Sequence, residues 1–485
     1  MTKYSSRRKF LEKAGKGLLC APLLASSVSA LATTAGNGTR PAGQERKQVR
    51  SNTALEAGQG ESKRGVRLDI RDFGAKGDGS SKDTAAVQRA IDRCSVLGGG
   101  VVTVPVGNFL TGALALRSHV ELHLESGANL VGSSDLDDYP VSEVRWEGKW
   151  IPGHTALIYA RDCENISITG PGKISGSHSV GGRPSADRPL RRPALIEPIG
   201  CTNLRFDGFS TDYHLMWSIH PTYCDNIHIS NLTIRSTGGN GDGIDIDSCK
   251  HVIIERCDIS TGDDCISLKS GRGMEGYALL KTTEDVVIRD CTFADSIFAC
   301  IGIGSETSGG IRDVKIESCN FTYAKTHAIY IKSRPGRGAF IENIDAENLK
   351  VGKMEGGFLR FNILGSGLQD QVPVPGAEGI PTIRNFSFSN VKVEDVPVLV
   401  EGTSIHPRKP LDGFVLANVT GTCRKGITLA NIKNARLKDI KVSGFAGPLL
   451  GVYNVSGSGL KDAVQIAAPK VPEEIKAAET PYVLQ

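Results

Sequence analysis

Aromatic side chains make up only 6% of the chain, and tryptophan occurs three times. That scarcity suits a fold of many tight turns and small strand residues rather than one built on stacked rings. An excess of either charge is also missing: 57 Lys and Arg face 53 Asp and Glu, a net charge of +4. The whole-molecule field therefore selects no particular partner. No CxxC pair occurs among the twelve cysteines, so the usual zinc spacings are absent. Long apolar runs are lacking as well. The one modest run, Leu18 to Ala32, is short and broken by Pro22, so a stable membrane anchor is not expected. Glycine is abundant, at 57 of 485 residues. A length of this kind ordinarily implies several domains, but elongated repeat folds break that rule.

The N-terminus reads as a targeting segment. Ser6-Arg7-Arg8-Lys9-Phe10-Leu11 is a twin-arginine pattern, and the apolar run after it ends in Ala30-Leu31-Ala32. Residues 1–32 are therefore expected to be a cleaved twin-arginine signal, with a periplasmic or extracellular destination. Cys20 follows Leu19, a poor context for lipid attachment. Residues 33–65, rich in Gly, Ser, Gln and Lys, read as a flexible linker. Removing Cys20 leaves eleven cysteines (12 − 1), an odd number. Cargo of this route folds in a reducing compartment, so most are expected as buried, small apolar fillers.

Val66 to Asp72 reads as a first strand, followed by a glycine-rich turn, Phe73-Gly74-Ala75-Lys76-Gly77-Asp78-Gly79. Ser81 or Asp83 can cap a helix from Thr84 to Val96, with Ala86, Val87, Ala90, Ile91 and Cys94 on one face. The turn lacks the Lys-Ser/Thr of a phosphate-binding loop. From there a short unit recurs: Asn or Asp, apolar, polar, apolar. It starts at Asn165, Asn203, Asn226, His251, Asp285 and Asp313, and later at Asn343, Asn385, Gly413 and Asn434. The closest starts lie about 21–25 residues apart. Period-two strands on that longer period predict an all-β right-handed parallel β-helix over residues 66–455, capped by the N-terminal helix, with a tail at 456–485. A sandwich or propeller is the alternative fold, but its blade-length period is missing.

Stacked coils, about 4.8 Å apart, turn equal repeat positions into columns. Shifting the sequence by 22 residues lays Ile244 on Ile266, Ile246 on Leu268 and Asp242 on Asp264, with Asp263 beside the column. The Asp242 column continues through Ala299 to His327. A second runs Asp245, Ser267, Gly302, Tyr330, Arg360, and a third Asp247, Lys269, Gly304, Lys332, Asn362. Acids thus gather at one end of a face and bases at the other. Three carboxylates at one place are costly to ionise together, which points to chemistry. Asp and Asn beside Gly are also ordinary turn residues, and one such motif alone would carry little.

Asn240-Gly241-Asp242, then Gly262-Asp263-Asp264, then Ile303-Gly304-Ser305-Glu306, then Ile331-Lys332-Ser333-Arg334-Pro335-Gly336-Arg337-Gly338 resembles the polygalacturonases of glycoside hydrolase family 28. The glycine-rich turn, Gly98-Gly99-Gly100 and Trp217-Ser218-Ile219-His220-Pro221 are similar to that family too, over roughly residues 66–450. The resemblance implies an inverting hydrolase of pectic polysaccharide, of galacturonan or rhamnogalacturonan type, needing no metal or other cofactor. By position, Asp263 resembles the general acid, and Asp242 with Asp264 the pair that activates water. Inversion implies acid and base carboxyls roughly 6.5–9.5 Å apart. Asn240, Lys332, Tyr330, His327, Arg334, Arg337 and Arg360 are the candidate substrate-binding residues.

Two positions depart from the family pattern. Its Gly-His-Gly histidine falls on Ala299, followed by Cys300, and its Arg-Ile-Lys arginine is Tyr330. His327 and Arg360 are candidate replacements. These changes point away from plain homogalacturonan and towards a related pectic linkage. Trp146, Trp150, Tyr213, His214 and Trp217 are candidates for stacking on sugars, each equally explained as packing. The basic insertion Gly182-Arg183 to Arg191-Arg192-Pro193 is a candidate wall for an anionic cleft. It lacks interleaved aromatics, so no nucleic-acid partner is expected. The chain is read as a monomer. Two rival functions remain: a calcium-dependent pectate lyase and a non-catalytic pectin-binding β-helix.

Overall fold

The computed structural model describes residues 65–177, 179–180, 184–214, 216–476 and 482–484. The signal at 1–32, nearly all of the linker at 33–65, and Gly182-Arg183 lie outside these residues. From Val66 onward the chain winds as a right-handed parallel β-helix. Val66–Asp69 pairs in parallel with Gly100–Val104, and that strand with Val120–Leu124. The stack continues through Glu164–Thr169, Thr202–Asp207, Asp225–Ser230, Lys250–Glu255, Thr283–Arg289 and Ile311–Glu317 into Phe340–Met354. Among the described residues no helix is long and apolar enough to cross a membrane.

The recurring Asn or Asp has a local cause. Asn165, Asn203, Asn226, His251, Asp285, Asp313, Asn343, Asn385 and Asn434 all adopt left-handed φ between 51° and 57°. Asn and Asp tolerate this conformation better than other side chains that carry a Cβ. Stacking then lets the amides join: Asn203 donates to Asn165 at 2.8 Å, and Asn226 to Asn203 at 2.7 Å. The same residue type therefore turns each coil and ties it to the next.

The predicted helix spans Thr84–Val96 and buries Ala86, Val87, Ala90, Ile91 and Cys94. Asp83 occupies its N-cap position without capping it. Its carboxylate instead accepts from the backbone N–H groups of Lys76 (2.8 Å) and Gly77 (3.0 Å), pinning the glycine-rich turn. Inside the solenoid, Ile244, Ile266, Ile301, Ile329 and Leu359 form one column and Ile246, Leu268, Ile303, Ile331 and Phe361 another, all fully buried. Each such side chain contributes roughly 1.5–3 kcal/mol, and a one-residue slip would turn the columns outward, so the register is strongly held. All described cysteines are free thiols and, Cys163 excepted, buried.

Three features were not legible as repeats. Val141–Trp146 and Lys149–His154 form an antiparallel hairpin. A short helix occupies Gly273–Leu279. The stack also continues past residue 455, since Leu450–Ser458 pairs with Val464–Gln465. Beyond it the tail returns to the coils, where Gly376 N–H donates to Ile475 O at 2.8 Å and Arg408 meets Glu474 at 3.0 Å.

Candidate active site

The columns bring the acids together. Ile244–Asp247 pairs with Ile266–Lys269 in the predicted register, and Gly243 N–H donates to Asp264 O at 3.0 Å. One carboxylate oxygen each of Asp242, Asp263 and Asp264 lies within 4.8 Å of the others. Asp242 and Asp264 are buried, whereas Asp263 is half-buried. One oxygen of each of the three carboxylates is thus drawn to a common point. The reason is architectural. Asp263 and Asp264 are neighbours in the chain, and Asp242 stands one coil away, so coil spacing sets the separation.

Each carboxylate has distinct partners. Asp263 accepts from the backbone N–H groups of Asn240 (3.1 Å) and Asp264 (3.0 Å). Asp264 accepts from Ser267 Oγ at 2.8 Å, from Ala299 N–H at 3.2 Å and from Lys332 Nζ at 2.5 Å. Ser267 Oγ also reaches Asp242 at 3.4 Å. Gly302 makes this arrangement possible: a Cβ there would lie 2.4 Å from Asp264 Oδ2 and 2.8 Å from Lys332 Nζ. Lys332 therefore passes over a bare backbone to meet Asp264.

Burial, then the neighbouring carboxylates Asp245 and Asp263, pushes Asp242 well above the usual carboxylate range. Burial and the Asp264 charge likewise raise Asp263, against the pull of Lys332. The push is stronger at the more deeply buried Asp242, so the field alone does not single out Asp263 as proton donor. Asp263 is the most accessible of the three.

A second buried layer supports the acids. Lys269 Nζ lies 2.5 Å from Asp245, 3.8 Å from Asp242 and 3.9 Å from Glu306, and 4.1 Å from the centre of the Trp217 ring. Burial alone would lower Lys269, but Asp245, Glu306 and Asp242 together raise it well above the ordinary lysine value. Arg145 reaches in from the hairpin to Asp247 at 2.9 Å, its guanidinium 5.2 and 5.4 Å from the ring centres of Trp150 and Tyr223, which touch each other. Arg191 and His220 hold Glu197, at 2.6 and 3.1 Å. The sequence columns contained Lys269 and Asp245 but showed no pairing between them. Glu306 stood in a quoted motif without a role. Arg145 gave no signal, because its partner is 102 residues away.

The other candidates divide. Asn240 is buried, and its side-chain oxygen has no partner among the described residues. Lys332 is nearly buried against Asp264 rather than open to solvent. Tyr330 is 6% exposed and accepts from Asn362 at 3.1 Å. His327, expected at a solvated edge if not functional, is instead buried. Burial and then Arg360 push it down to about 4. Arg360 is half-exposed, stacked over Tyr330 at 5.3 Å and 3.4 Å from Glu401. Arg334 donates to Gly367 O at 2.5 Å. Arg337 departs from expectation: it is fully buried, bonded to Ser305 O, Leu368 O and Asp370, and braces a loop instead of facing substrate. Arg191 and Arg192 are similarly buried rather than walling a cleft, Arg192 donating to Gly239 O at 2.6 Å. Trp146 and Trp217 stack on each other at 5.5 Å in a small core, and His214 is buried. Tyr213 alone of that aromatic group is well exposed, at 47%.

Fold and site together define a β-helical glycoside hydrolase. The profile described as Glycosyl hydrolases family 28 matches residues 94–359, and the chain belongs to that family. A probable polygalacturonase of Vitis vinifera is 32% identical over 72% of this chain and 73% of its own length. An exo-poly-alpha-D-galacturonosidase of Dickeya chrysanthemi is 26% identical over 68% of this chain and 62% of its own. Among solved structures, a hyperthermoactive exopolygalacturonase from Thermotoga maritima superposes with a TM-score of 0.68 at 27% identity, covering 78% of this chain and 92% of its own.

Proposed function

We propose that the chain hydrolyses glycosidic bonds in pectic polysaccharide, of galacturonan or rhamnogalacturonan type, after export by its twin-arginine signal. The clustering of Asp242, Asp263 and Asp264 within 4.8 Å, in a chain of family 28, is the observation that carries this reading. Asp263, the accessible carboxyl, donates its proton to the leaving glycosidic oxygen. Asp242 and Asp264 together hold the attacking water, and one of them takes its proton as the water oxygen bonds to the anomeric carbon. Asn240 and Asp264 orient Asp263 through their backbone N–H groups. Lys332 and Ser267 orient Asp264. Asp263→Asn should abolish hydrolysis of every pectic fraction in a folded protein; full activity in that variant would sink the assignment.

The stereochemical outcome is a separate test of the assignment. Retaining glycosidases hold their two carboxyl groups about 5–5.5 Å apart and inverting ones roughly 6.5–9.5 Å. Following the anomeric proton of the first-formed product by NMR separates the two, and a retained anomer would replace the water-activating role with a nucleophilic one. The lyase reading fits the site less well. Two lysines, Lys332 and Lys269, already place cationic nitrogens 2.5 Å from Asp264 and 3.8 Å from Asp242, where a calcium ion would have to compete with them. A saturated product formed in the presence of chelator is expected; an unsaturated one would favour elimination. A non-catalytic role fits the site less well too, because three mutually close carboxylates are costly to maintain for binding alone.

A further inference from the structure

Beside the acids lies a patch that the catalytic roles do not use. Its centre is the column Tyr330, Arg360, Glu401, one residue from each of three successive coils. Phe298, half-buried, stacks on Tyr330 with ring centres 5.8 Å apart and planes 21° apart. Arg360 covers Tyr330 at 5.3 Å, and Lys332 Nζ lies 4.9 Å from the centre of Phe298. The patch is therefore continuous with Asp264 through Lys332.

Its charge balance is the informative feature. Lys332 is paired with Asp264 at 2.5 Å, and Arg360 with Glu401 at 3.4 Å. His327, 5.6 Å from Tyr330, is held uncharged at neutral pH by burial and by Arg360. Every cation of the patch thus already faces an acid, and Glu401, 38% exposed, adds a carboxylate where a sugar would lie. A uronate arriving there meets the like charge of Glu401, beside an Arg360 guanidinium that Glu401 already faces. The rings offer apolar surface with a polar edge, which suits a sugar face.

We propose that Phe298, Tyr330, Arg360 and Glu401 form a sugar subsite that accepts an uncharged residue, with Glu401 as the determinant that turns away a free uronate. This rests on the pectic reading above. An uncharged residue has two sources in such polymers, a methyl-esterified uronate or a neutral sugar such as rhamnose. The test compares unesterified oligogalacturonates, their methyl esters, and oligomers alternating rhamnose with galacturonate. Turnover is measured on the full chain, and binding by calorimetry. The wild type should favour one or both uncharged classes, and the better of the two names the source. Glu401→Gln should raise kcat/KM for the unesterified oligomer about tenfold, through KM, and shift the uncharged ligands by much less. Phe298→Ala should weaken binding of the uncharged ligands with kcat little altered. A wild type that prefers the unesterified oligomer, or a Glu401→Gln variant that changes charged and uncharged ligands equally, overturns the proposal. If no pectic oligomer is hydrolysed, the pectic hydrolase reading fails, and the binding order still decides whether the patch discriminates by charge.

Discussion

Gly302→Ala tests whether the Lys332–Asp264 contact matters to the reaction. Gly302 lies in the extended strand Ile301–Ile303, so alanine carries no backbone penalty there. The new Cβ would sit 2.4 Å from Asp264 Oδ2, where ordinary contact begins at 3.4 Å, so the carboxylate must retreat by about 1.0 Å (3.4 − 2.4). Ser267 and Ala299 hold its other directions, so the retreat stretches the 2.5 Å ion pair to about 3.5 Å. At an effective dielectric constant of about 20, the attraction falls from about 6.6 to about 4.7 kcal/mol, a loss of about 2 kcal/mol. Expressed wholly in the barrier, that is roughly a 30-fold fall in kcat. Overpacking costs about 1–3 kcal/mol of stability, offset by about 0.4–1 kcal/mol because alanine narrows the unfolded ensemble. Initial rates of reducing-end release, with thermal unfolding measured alongside, give both quantities. Gly365→Ala is the control, since nothing lies within 4 Å of a Cβ at that position. A Gly302→Ala protein with wild-type rate and unchanged unfolding temperature would refute the reasoning.

Lys269→Met should destabilise the fold by about 3–5 kcal/mol in chemical denaturation, because it leaves the fully buried Asp245 carboxylate without its counter-charge. His327 binds its proton more weakly folded than unfolded, with its value pushed down to about 4. Its contribution is therefore present above the unfolded value of about 6.5 and is lost as pH falls from there towards 4. His327→Gln should flatten the stability profile over that window by up to about 3 kcal/mol. Asp242 has the opposite sign: its raised value means wild-type stability falls as pH rises above the ordinary aspartate value of about 3.9. Asp242→Asn should accordingly gain on the wild type with rising pH, while losing hydrolysis. Replacing Arg7 and Arg8 by lysine should leave the protein in the cytoplasm, as read by fractionation of the producing cells.

The solenoid is written in local pattern. Its warrant is local and repeated: each coil needs a residue that tolerates a left-handed turn, and the strands on either side need alternating apolar positions. Asn165, Asn203 and Asn226 record the first requirement and Ile244, Ile266 and Ile301 the second, so the register and the meeting of Asp242 with Asp264 were readable without coordinates. What surrounds those acids depends on contacts between distant parts of the chain. Arg145 enters from a hairpin outside the repeat to pair with Asp247, and Arg337 turns inward to Asp370 although its motif placed it with substrate-facing bases. Lys332 crosses the bare backbone of Gly302 to reach Asp264 on another coil. A periodic pattern specifies which residues share a column. Which way a long charged side chain bends, and which acid it meets, depends on insertions and on space between coils, and neither has a period.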